Sequence, residues 1–212
     1  PDGRSRDHRY WSVRFGTPAE ESSLSYEDWQ DITLDKLRTA VERRLVADVP
    51  VGVLLSGGLD SSLIVGLLAE QGQHGLNTFS VGFEEAGGEK GDEFEYSDIV
   101  ARHFDTEHHK IFVDSKRLLP SLESCVQAMS EPMVSHDVIG FYLLSREVSR
   151  HVKVVQSGQG ADEVFAGYHW YPPMMDTENA LQTYMQAFFD RTHEEFQQVV
   201  DPSLYGDDFS RD

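Results

Sequence analysis

A glycine-rich segment early in the chain has the residue types of a phosphate-binding loop. Residues 54–62 read Leu-Leu-Ser-Gly-Gly-Leu-Asp-Ser-Ser and lie between a predicted strand and a predicted helix. Glycines allow close approach by a ligand, and backbone N–H groups at a helix N-terminus attract phosphate oxygens. Three serine hydroxyls would add donors, and Asp60 could hold a divalent cation against the phosphates. The alternative is an ordinary strand-to-helix turn in which Asp60 or Ser61 caps the helix.

Two better-known phosphate loops do not fit this segment. A Walker A loop requires Gly-Lys followed by Ser or Thr, and no lysine follows Gly58. A dinucleotide-binding fingerprint requires three spaced glycines and a ribose-binding acid further on, which neither glycine-rich loop of this sequence supplies. The segment therefore indicates a phosphate-binding loop of another class.

A second glycine-rich segment follows a predicted strand later in the chain. Residues 157–168 read Ser-Gly-Gln-Gly-Ala-Asp-Glu-Val-Phe-Ala-Gly-Tyr. Its backbone N–H groups could bind a phosphate, and Asp162 and Glu163 could serve a metal or an acceptor substrate. A plain capped helix start is the alternative, and the presence of two such loops in one chain disfavours it.

The elements that must position these loops alternate between strands and helices. Strands are predicted at 51–55, 76–83, 107–113 and 152–156. Helices are predicted at 26–48, 60–71, 94–104, 116–129, 138–150 and 179–200. This alternation predicts an α/β fold, a doubly wound parallel sheet covered by helices on both faces. Both glycine-rich loops then follow strands.

The organisation along the chain predicts one main domain with flanking segments. We expect an arm or interdomain linker at 1–25, a main domain at 26–170, and part of a larger, truncated helical region at 171–212. The acidic, glycine-rich stretch 84–93 is typical of a solvated loop.

Composition restricts the partners and the compartment. The 212 residues carry a formal net charge of -19, which disfavours nucleic acid and anionic membrane surfaces. The apolar stretch 49–69 is interrupted by glycines, serines and Asp60, so no membrane span is predicted. Cys125 is the one cysteine; it excludes an internal disulfide, fits a cytoplasmic protein, and is expected to be buried in its helix. His103, His108 and His109 are expected to be surface or strand-edge residues rather than metal ligands.

Both loops resemble those of a known family. The first resembles the pyrophosphate loop of the ATP pyrophosphatases, whose fold is the adenine-nucleotide α-hydrolase (PP-loop) type. The second is similar to the Ser-Gly-Glu-Gly-Ala-Asp-Glu-Leu-Phe-Gly-Gly-Tyr signature of asparagine synthetases and their β-lactam-forming relatives. The resemblance extends over roughly residues 10–168 and includes 43–50 and 78–83. It implies the ATP-binding synthetase domain of a glutamine-dependent amidotransferase.

The resemblance also implies roles for individual residues. Leu54 and Val81 would flank the adenine, and Asp60 and Asp162 would bind Mg²⁺. The other residues expected around the nucleotide are Ser56, Gly57, Gly58, Leu59, Ser61 and Ser62 for the pyrophosphate, and Ser157 and Gly158 on the α-phosphate side. The residues expected to be catalytic are Asp60, Gln159, Asp162 and Glu163. Glu131 is either an acceptor-facing residue or a surface acid.

The implied reaction has two steps and several partners. An acceptor carboxylate, such as that of aspartate, would attack the α-phosphate of ATP to give an acyl-adenylate, and ammonia would then displace AMP. A glutaminase of this family uses an N-terminal cysteine, and this chain begins at Pro1, so we expect the ammonia-generating domain to lie outside it. A homodimer is possible. The family also has a lysine well downstream of the second loop, whereas this sequence has none after Lys153.

Gln159 is a departure from the family pattern. It stands where the signature has glutamate, and it lacks that residue's negative charge. With the continuation Tyr168–Pro173 it resembles the N-acetylglutaminylglutamine amidotransferases, which amidate a dipeptide carboxylate. Two further alternatives are a tRNA-modifying or sulfur-transferring pyrophosphatase, disfavoured by the acidic charge and the absence of cysteine pairs, and a nucleotide-binding module without turnover.

Overall fold

A four-stranded parallel sheet forms the centre of the computed structural model. The strands are β1 (Val51–Leu54), β2 (Asn77–Phe83), β3 (Glu107–Val113) and β4 (Val154–Gln156). Their order in the sheet is β3-β2-β1-β4, and each neighbouring pair is parallel. The structure describes residues 5–12, 23–83, 94–131, 133, 135, 137–189, 191–204 and 206. Most of the predicted arm, the acidic stretch 84–93, Pro132, His136 and the end of the tail lie outside the described residues.

Nine α-helices and two short 3₁₀ turns accompany the sheet within the described residues. The helices are α1 (Tyr26–Arg43), α2 (Leu59–Glu70), α3 (Phe94–His103), α4 (Leu118–Ala128), α5 (Asp137–Val148), α6 (Ala161–Phe165), α7 (Tyr171–Met175), α8 (Ala180–Phe188) and α9 (His193–Val199). The 3₁₀ turns are Ser115–Arg117 and Pro202–Leu204. In the part of the chain that the structure describes, no helix has the length and apolar content to cross a membrane.

Helices cover both faces of the sheet. Alternate residues along β1 point to opposite faces, and each face packs on different helices. Val53 and Leu55 belong to a buried cluster with residues of α1, α2 and α3. Leu54 packs against a second cluster that contains Phe79 of β2 and Leu144 of α5. The prediction of a doubly wound α/β fold is therefore confirmed.

The strand order places a crevice at one end of β1. The chain adds β2 and β3 on one side of β1 and then returns to add β4 on the other, where Val53 pairs with Gln156. Ligands of open parallel sheets bind beyond the carboxyl ends of the strands at such a reversal of strand order. Both glycine-rich loops begin there, since one follows β1 and the other follows β4.

Two predicted helices depart from the structure by more than two residues. Helix α1, opened by a capping box between Ser25 and Asp28, ends at Arg43 and not at 48. Leu45 continues the apolar spacing because it still packs on the core after the helix has ended. The predicted helix 179–200 is two helices, because Thr192 and Glu195 form a second capping box that starts α9.

Several smaller features also bear on the predictions. Strand β4 begins at Val154 rather than at 152, and α6 and α7 are short helices whose bounds the sequence did not predict. Cys125, in α4, is 2% exposed, so its predicted burial is confirmed.

Candidate functional site

A cavity of about 530 Å³ lies where β1 and β4 end, and both glycine-rich loops line it. The predicted site residues that line it are Leu54, Ser56, Gly58, Asp60, Ser61, Val81, Ser157, Gly158, Gln159 and Asp162. Residues separated by about a hundred positions in the sequence thus meet in one cavity. Gly57, Leu59, Ser62 and Glu163 are not among the lining residues.

The first loop leaves the start of α2 without a side-chain cap. The N-cap is Gly58, so Asp60 and Ser61 lie within the first helical turn and not at the capping position. The hydroxyl of Ser56 accepts a hydrogen bond from the Gly58 N–H (3.2 Å) and lies 3.1 Å from the Ser61 hydroxyl. Helix N-termini without a side-chain cap retain N–H groups that can bind an anion.

Gly57 and Ser62 stabilise the first loop itself, and Leu59 points to solvent. Gly57 has φ +92, and a Cβ there would lie 2.5 Å from the backbone nitrogen of Ser97, so only glycine fits. The Ser62 hydroxyl donates to the Gly58 carbonyl (2.6 Å), and Leu59 is 82% exposed. The predicted ligand roles of these three residues stay predictions.

The second loop packs directly on the first. A Cβ on Gly158 would lie 2.8 Å from the Cβ of Asp60 and 3.1 Å from the Ser61 nitrogen. Gly160 is the N-cap of α6, with φ +90, which glycine adopts readily. Each loop thus contributes one aspartate, Asp60 or Asp162, to the lining of the same cavity.

Glu163 is engaged outside the cavity. Its carboxylate accepts a hydrogen bond from the Tyr168 hydroxyl (2.9 Å), and this bond raises the pKa of Tyr168. The ring of Tyr168 stacks on Trp170, with ring centroids 4.2 Å apart. Glu163 thus joins the second loop to the following aromatic residues, and its predicted catalytic role stays a prediction. Glu131 is exposed and does not line the cavity.

The sequence analysis did not identify much of the cavity wall. The additional lining residues are Leu55, Phe79, Ser80, Phe94, Phe141 and Leu144. Most of them are apolar, so together with Leu54 and Val81 they give the cavity a wall suited to a flat, apolar group. The alternation of residues along β2 could have indicated that Phe79 and Val81 share one face. The packing of α5 at this wall is known only from the tertiary fold.

Ser80 is the polar member of that additional set. It is 4% exposed, its hydroxyl donates to the Leu55 carbonyl, and it lies 3.3 Å from His108 Nε2. Burial lowers the pKa of His108, and the nearby Asp98 partly opposes this effect. The strand-edge prediction fits His108 and His109, since β3 is an edge strand, and His103 is exposed at the end of α3.

Comparison with known proteins places the chain in a family. A sequence model of the asparagine synthase family matches residues 33–205. The chain is 32% identical over 174 residues to glutamine-hydrolyzing asparagine synthetase 3 of Bacillus subtilis, with 77% of this chain and 28% of that protein covered. It is also 32% identical over 171 residues to glutamine-hydrolyzing asparagine synthetase 1 of the same organism, with 81% and 26% covered.

The chain spans less than a third of the length of these curated relatives. Among solved structures, an NH3-dependent NAD synthetase from Campylobacter jejuni has a TM-score of 0.43 and 16% identity, with 84% of this chain and 90% of that chain covered. The family match extends over most of the chain and includes both glycine-rich loops and all four strands. The chain belongs to the asparagine synthase family.

Proposed function

We propose that this chain is the ATP-binding synthetase portion of an amidotransferase that forms an amide on a carboxylate. The single observation that carries the proposal is the meeting of the two glycine-rich loops in one cavity, with Gly158 against Asp60. Two N–H-rich loops at the end of a parallel sheet are suited to a polyphosphate, and an adjacent apolar wall is suited to a purine.

The cavity divides into parts that match the parts of ATP. The purine would lie against Leu54 and Val81, whose side chains pack against the apolar cluster that contains Phe79 and Leu144. The pyrophosphate would lie at the start of α2, where the N-cap is a glycine. The α-phosphate would then face Ser157, next to the packed contact of the two loops.

The donor set fits Mg²⁺ that is shared with a nucleotide. The cavity is lined by the carboxylates of Asp60 and Asp162, and the described residues contain no cluster of three or more His, Cys, Asp or Glu that could hold a metal. Mg²⁺ commonly uses one or two carboxylates together with substrate phosphates and water. Bound there, Mg²⁺ would neutralise part of the charge on the phosphates.

The chain's own groups would orient the reactants. The N–H groups at the start of α2 are fixed dipoles that would be directed at the leaving pyrophosphate and would lower the cost of the charge that develops on it. The packed loops would hold the α-phosphate at a fixed distance from that site. An acceptor carboxylate that attacks the α-phosphate becomes an acyl-adenylate, and ammonia then displaces AMP to leave the amide.

The acceptor we propose is a small carboxylate, either aspartate or a glutaminyl dipeptide. Gln159 lines the cavity, and its amide both donates and accepts hydrogen bonds without adding charge. A neutral amide matches the peptide group of a dipeptide, which is the observation that favours this second acceptor. Ammonia would come from a glutaminase domain, as the names of the Bacillus relatives suggest. We also propose a cytoplasmic location, which suits the free, buried thiol of Cys125.

ATP–pyrophosphate exchange tests the proposal on the intact protein. The assay would compare aspartate, a glutaminyl dipeptide and no acceptor at saturating Mg²⁺ and ATP. Exchange that depends on one of these carboxylates is expected. If neither the intact protein nor this chain binds Mg-ATP, the assignment of the cavity is overturned. If exchange is equally fast with and without an acceptor, carboxylate activation is overturned.

A further inference from the structure

Polar side chains connect the cavity wall to the edge strand β3. The Ser80 hydroxyl lies 3.3 Å from His108 Nε2, and the Thr78 hydroxyl lies 2.8 Å from His108 Nδ1. The Thr106 hydroxyl lies a further 2.8 Å from that of Thr78. Thr78 and Ser80 share one face of β2, and Thr78 is the direct neighbour of His108 across the sheet.

The hydrogen bonds of this network favour one tautomer of His108. Ser80 has one hydroxyl proton, which it donates to the Leu55 carbonyl, so it accepts its second bond from His108 Nε2–H. Nδ1 is then the acceptor of the Thr78 hydroxyl, and Thr78 accepts from Thr106. Thr78 is 0% exposed and the His108 side chain is 9% exposed, so these buried groups depend on one another for hydrogen-bond partners.

The network ends on Leu55, which precedes the Ser56-Gly57-Gly58 turn of the first loop. The Leu55 carbonyl accepts from Ser80, and the Leu55 N–H donates to the Phe79 carbonyl (2.8 Å). Both backbone polar groups of Leu55 are therefore held by β2, immediately before the turn begins. A displaced Leu55 carbonyl would change the direction in which the loop leaves the strand.

A second contact reaches the same loop from α3. Asp98 Oδ1 lies 3.9 Å from His108 Nε2, while its other oxygen accepts from Lys110 (2.9 Å). The two preceding residues, Tyr96 and Ser97, lie directly against Gly57 of the first loop. His108 is therefore close to residues of both β2 and α3, the elements that confine this loop.

We propose that His108 is a positioning residue of the nucleotide site, which acts through Ser80 to fix the start of the first glycine-rich loop. The proposal rests on the function proposed above, because it assigns His108 to the site where ATP would bind. His108 is not among the residues that line the cavity. Its contribution is to supply the Nε2–H donor that keeps the Ser80 hydroxyl directed at Leu55.

Three substitutions separate this role from simple filling of space. His108→Gln retains a donor close to the position of Nε2, so it can still reach Ser80. His108→Asn retains a polar group only near the position of Nδ1, so it can reach Thr78 but not Ser80. His108→Met has the length of Gln but no N–H donor. If His108 positions the loop, Gln restores it and both Asn and Met do not; if His108 only fills the space beside β2, Met restores it as well as Gln does.

Hydrogen exchange of the apo chain is the primary measurement. The amides of Leu55 and Gly58 report the loop, since they bond to the Phe79 carbonyl and to the Ser56 hydroxyl. We expect roughly tenfold faster exchange at both amides in His108→Asn, in His108→Met and in Ser80→Ala, the equivalent of losing one hydrogen bond. His108→Gln should stay near the wild-type rate. A double variant that combines His108→Asn with Ser80→Ala should exchange no faster than either single variant. His74→Ala, at an exposed histidine, is the matched control.

The outcomes that overturn the role of His108 can be distinguished from those that overturn the proposed function. Wild-type exchange in His108→Asn, or equal rates in the Gln and Asn variants or in the Gln and Met variants, would exclude a positioning role. If His108→Asn does not fold, Ser80→Ala and the ¹⁵N chemical shifts of the His108 ring decide, because an Nδ1–H tautomer contradicts the proposed donor. Mg-ATP binding is measured in parallel: absence of binding in the wild-type chain counts against the proposed function, while amide exchange still tests the loop.

Discussion

A Cβ atom on residue 158 would lie 2.8 Å from the Cβ of Asp60, so Gly158 is the residue that lets the two loops touch. The neighbouring atoms are backbone or the first atom of a side chain, which cannot swing away. Gly158→Ala should therefore separate the loops by a few tenths of an ångström or distort one of them, at a cost of roughly 1–3 kcal/mol.

We expect Gly158→Ala to weaken Mg-ATP binding by at least about tenfold while the chain stays folded, which corresponds to about 1.4 kcal/mol of lost binding. Calorimetric titration measures the affinity, and circular dichroism checks the fold. Gly206→Ala is the control, because no atom of the described residues lies within 4 Å of a Cβ at that position. Unchanged affinity in Gly158→Ala would show that ATP does not use the junction of the loops.

Asp60→Asn should make nucleotide binding insensitive to Mg²⁺. Asn keeps the shape of the side chain but lacks the negative charge that a hard divalent cation prefers. The expected result is a loss of at least about tenfold in Mg-ATP affinity, with little change in the weak binding measured in EDTA. Asp31→Asn on the exposed surface of α1 removes the same charge elsewhere and should behave as wild type. Equal losses in the two variants would indicate that only the net charge matters.

The sequence predicted those parts of the site that depend on local signals. Each loop follows an apolar strand and carries its own glycines and acids, so residues 54–62 and 157–163 could be recognised one at a time. Their convergence follows from the parallel sheet, because the carboxyl ends of parallel strands share one edge. The contact of Gly158 with Asp60 is a matter of tertiary distance that no local pattern encodes.

The supporting residues could not be predicted because they depend on strand register. Ser80 and His108 are 28 positions apart, and a shift of β3 by one residue would turn His108 to the other face. The partner of Glu163 could not be predicted either. Its type and its place beside Asp162 suggested chemistry, and its carboxylate accepts a hydrogen bond from Tyr168, five residues later. Its predicted catalytic role stays a prediction.

The folding stability should depend on the protonation of His108 at mildly acidic pH. Burial lowers the pKa of His108 below its ordinary value of 6.5; Lys110 and His109 also lower it, and Asp98 opposes them. Below pH 6.5 the unfolded chain therefore binds a proton more readily than the folded chain. The free energy of unfolding should fall as the pH decreases from 6.5 toward the pKa of the folded state.

Urea unfolding of wild type and His108→Gln between pH 7.5 and 5 measures this effect. The wild-type midpoint should decrease through the window, and the decrease should be smaller in His108→Gln, which cannot titrate there. Asp98 and Glu147, whose pKa values are lowered mainly by hydrogen bonds from Lys110 and Arg117, lose their contribution only at lower pH and in both proteins. Parallel curves for the two proteins would contradict a buried neutral His108.

Gln159→Glu in the intact protein should change the preference between acceptors. The substitution adds a negative charge to a cavity already lined by Asp60 and Asp162, and it replaces an amide that can donate hydrogen bonds. We expect lower activity with a glutaminyl dipeptide and a relative gain with free aspartate, measured as the ratio of kcat/KM values. If the wild-type protein already amidates free aspartate efficiently, the dipeptide is the wrong acceptor.

This chain alone should bind Mg-ATP without sustaining amide formation, even when ammonia is supplied. Among the described residues that line the cavity, none is Lys or Arg, and Lys153 donates to the Ser149 carbonyl (3.0 Å). Charge that develops on ATP in the transition state is commonly stabilised by a cationic side chain, and removal of one such donor typically costs a factor of about 10² to 10³ in rate. The assay supplies ATP, Mg²⁺, ammonium and each acceptor and follows AMP release. Sustained release that requires the acceptor, at an ordinary enzymatic rate, would show that this chain already contains every group the chemistry needs.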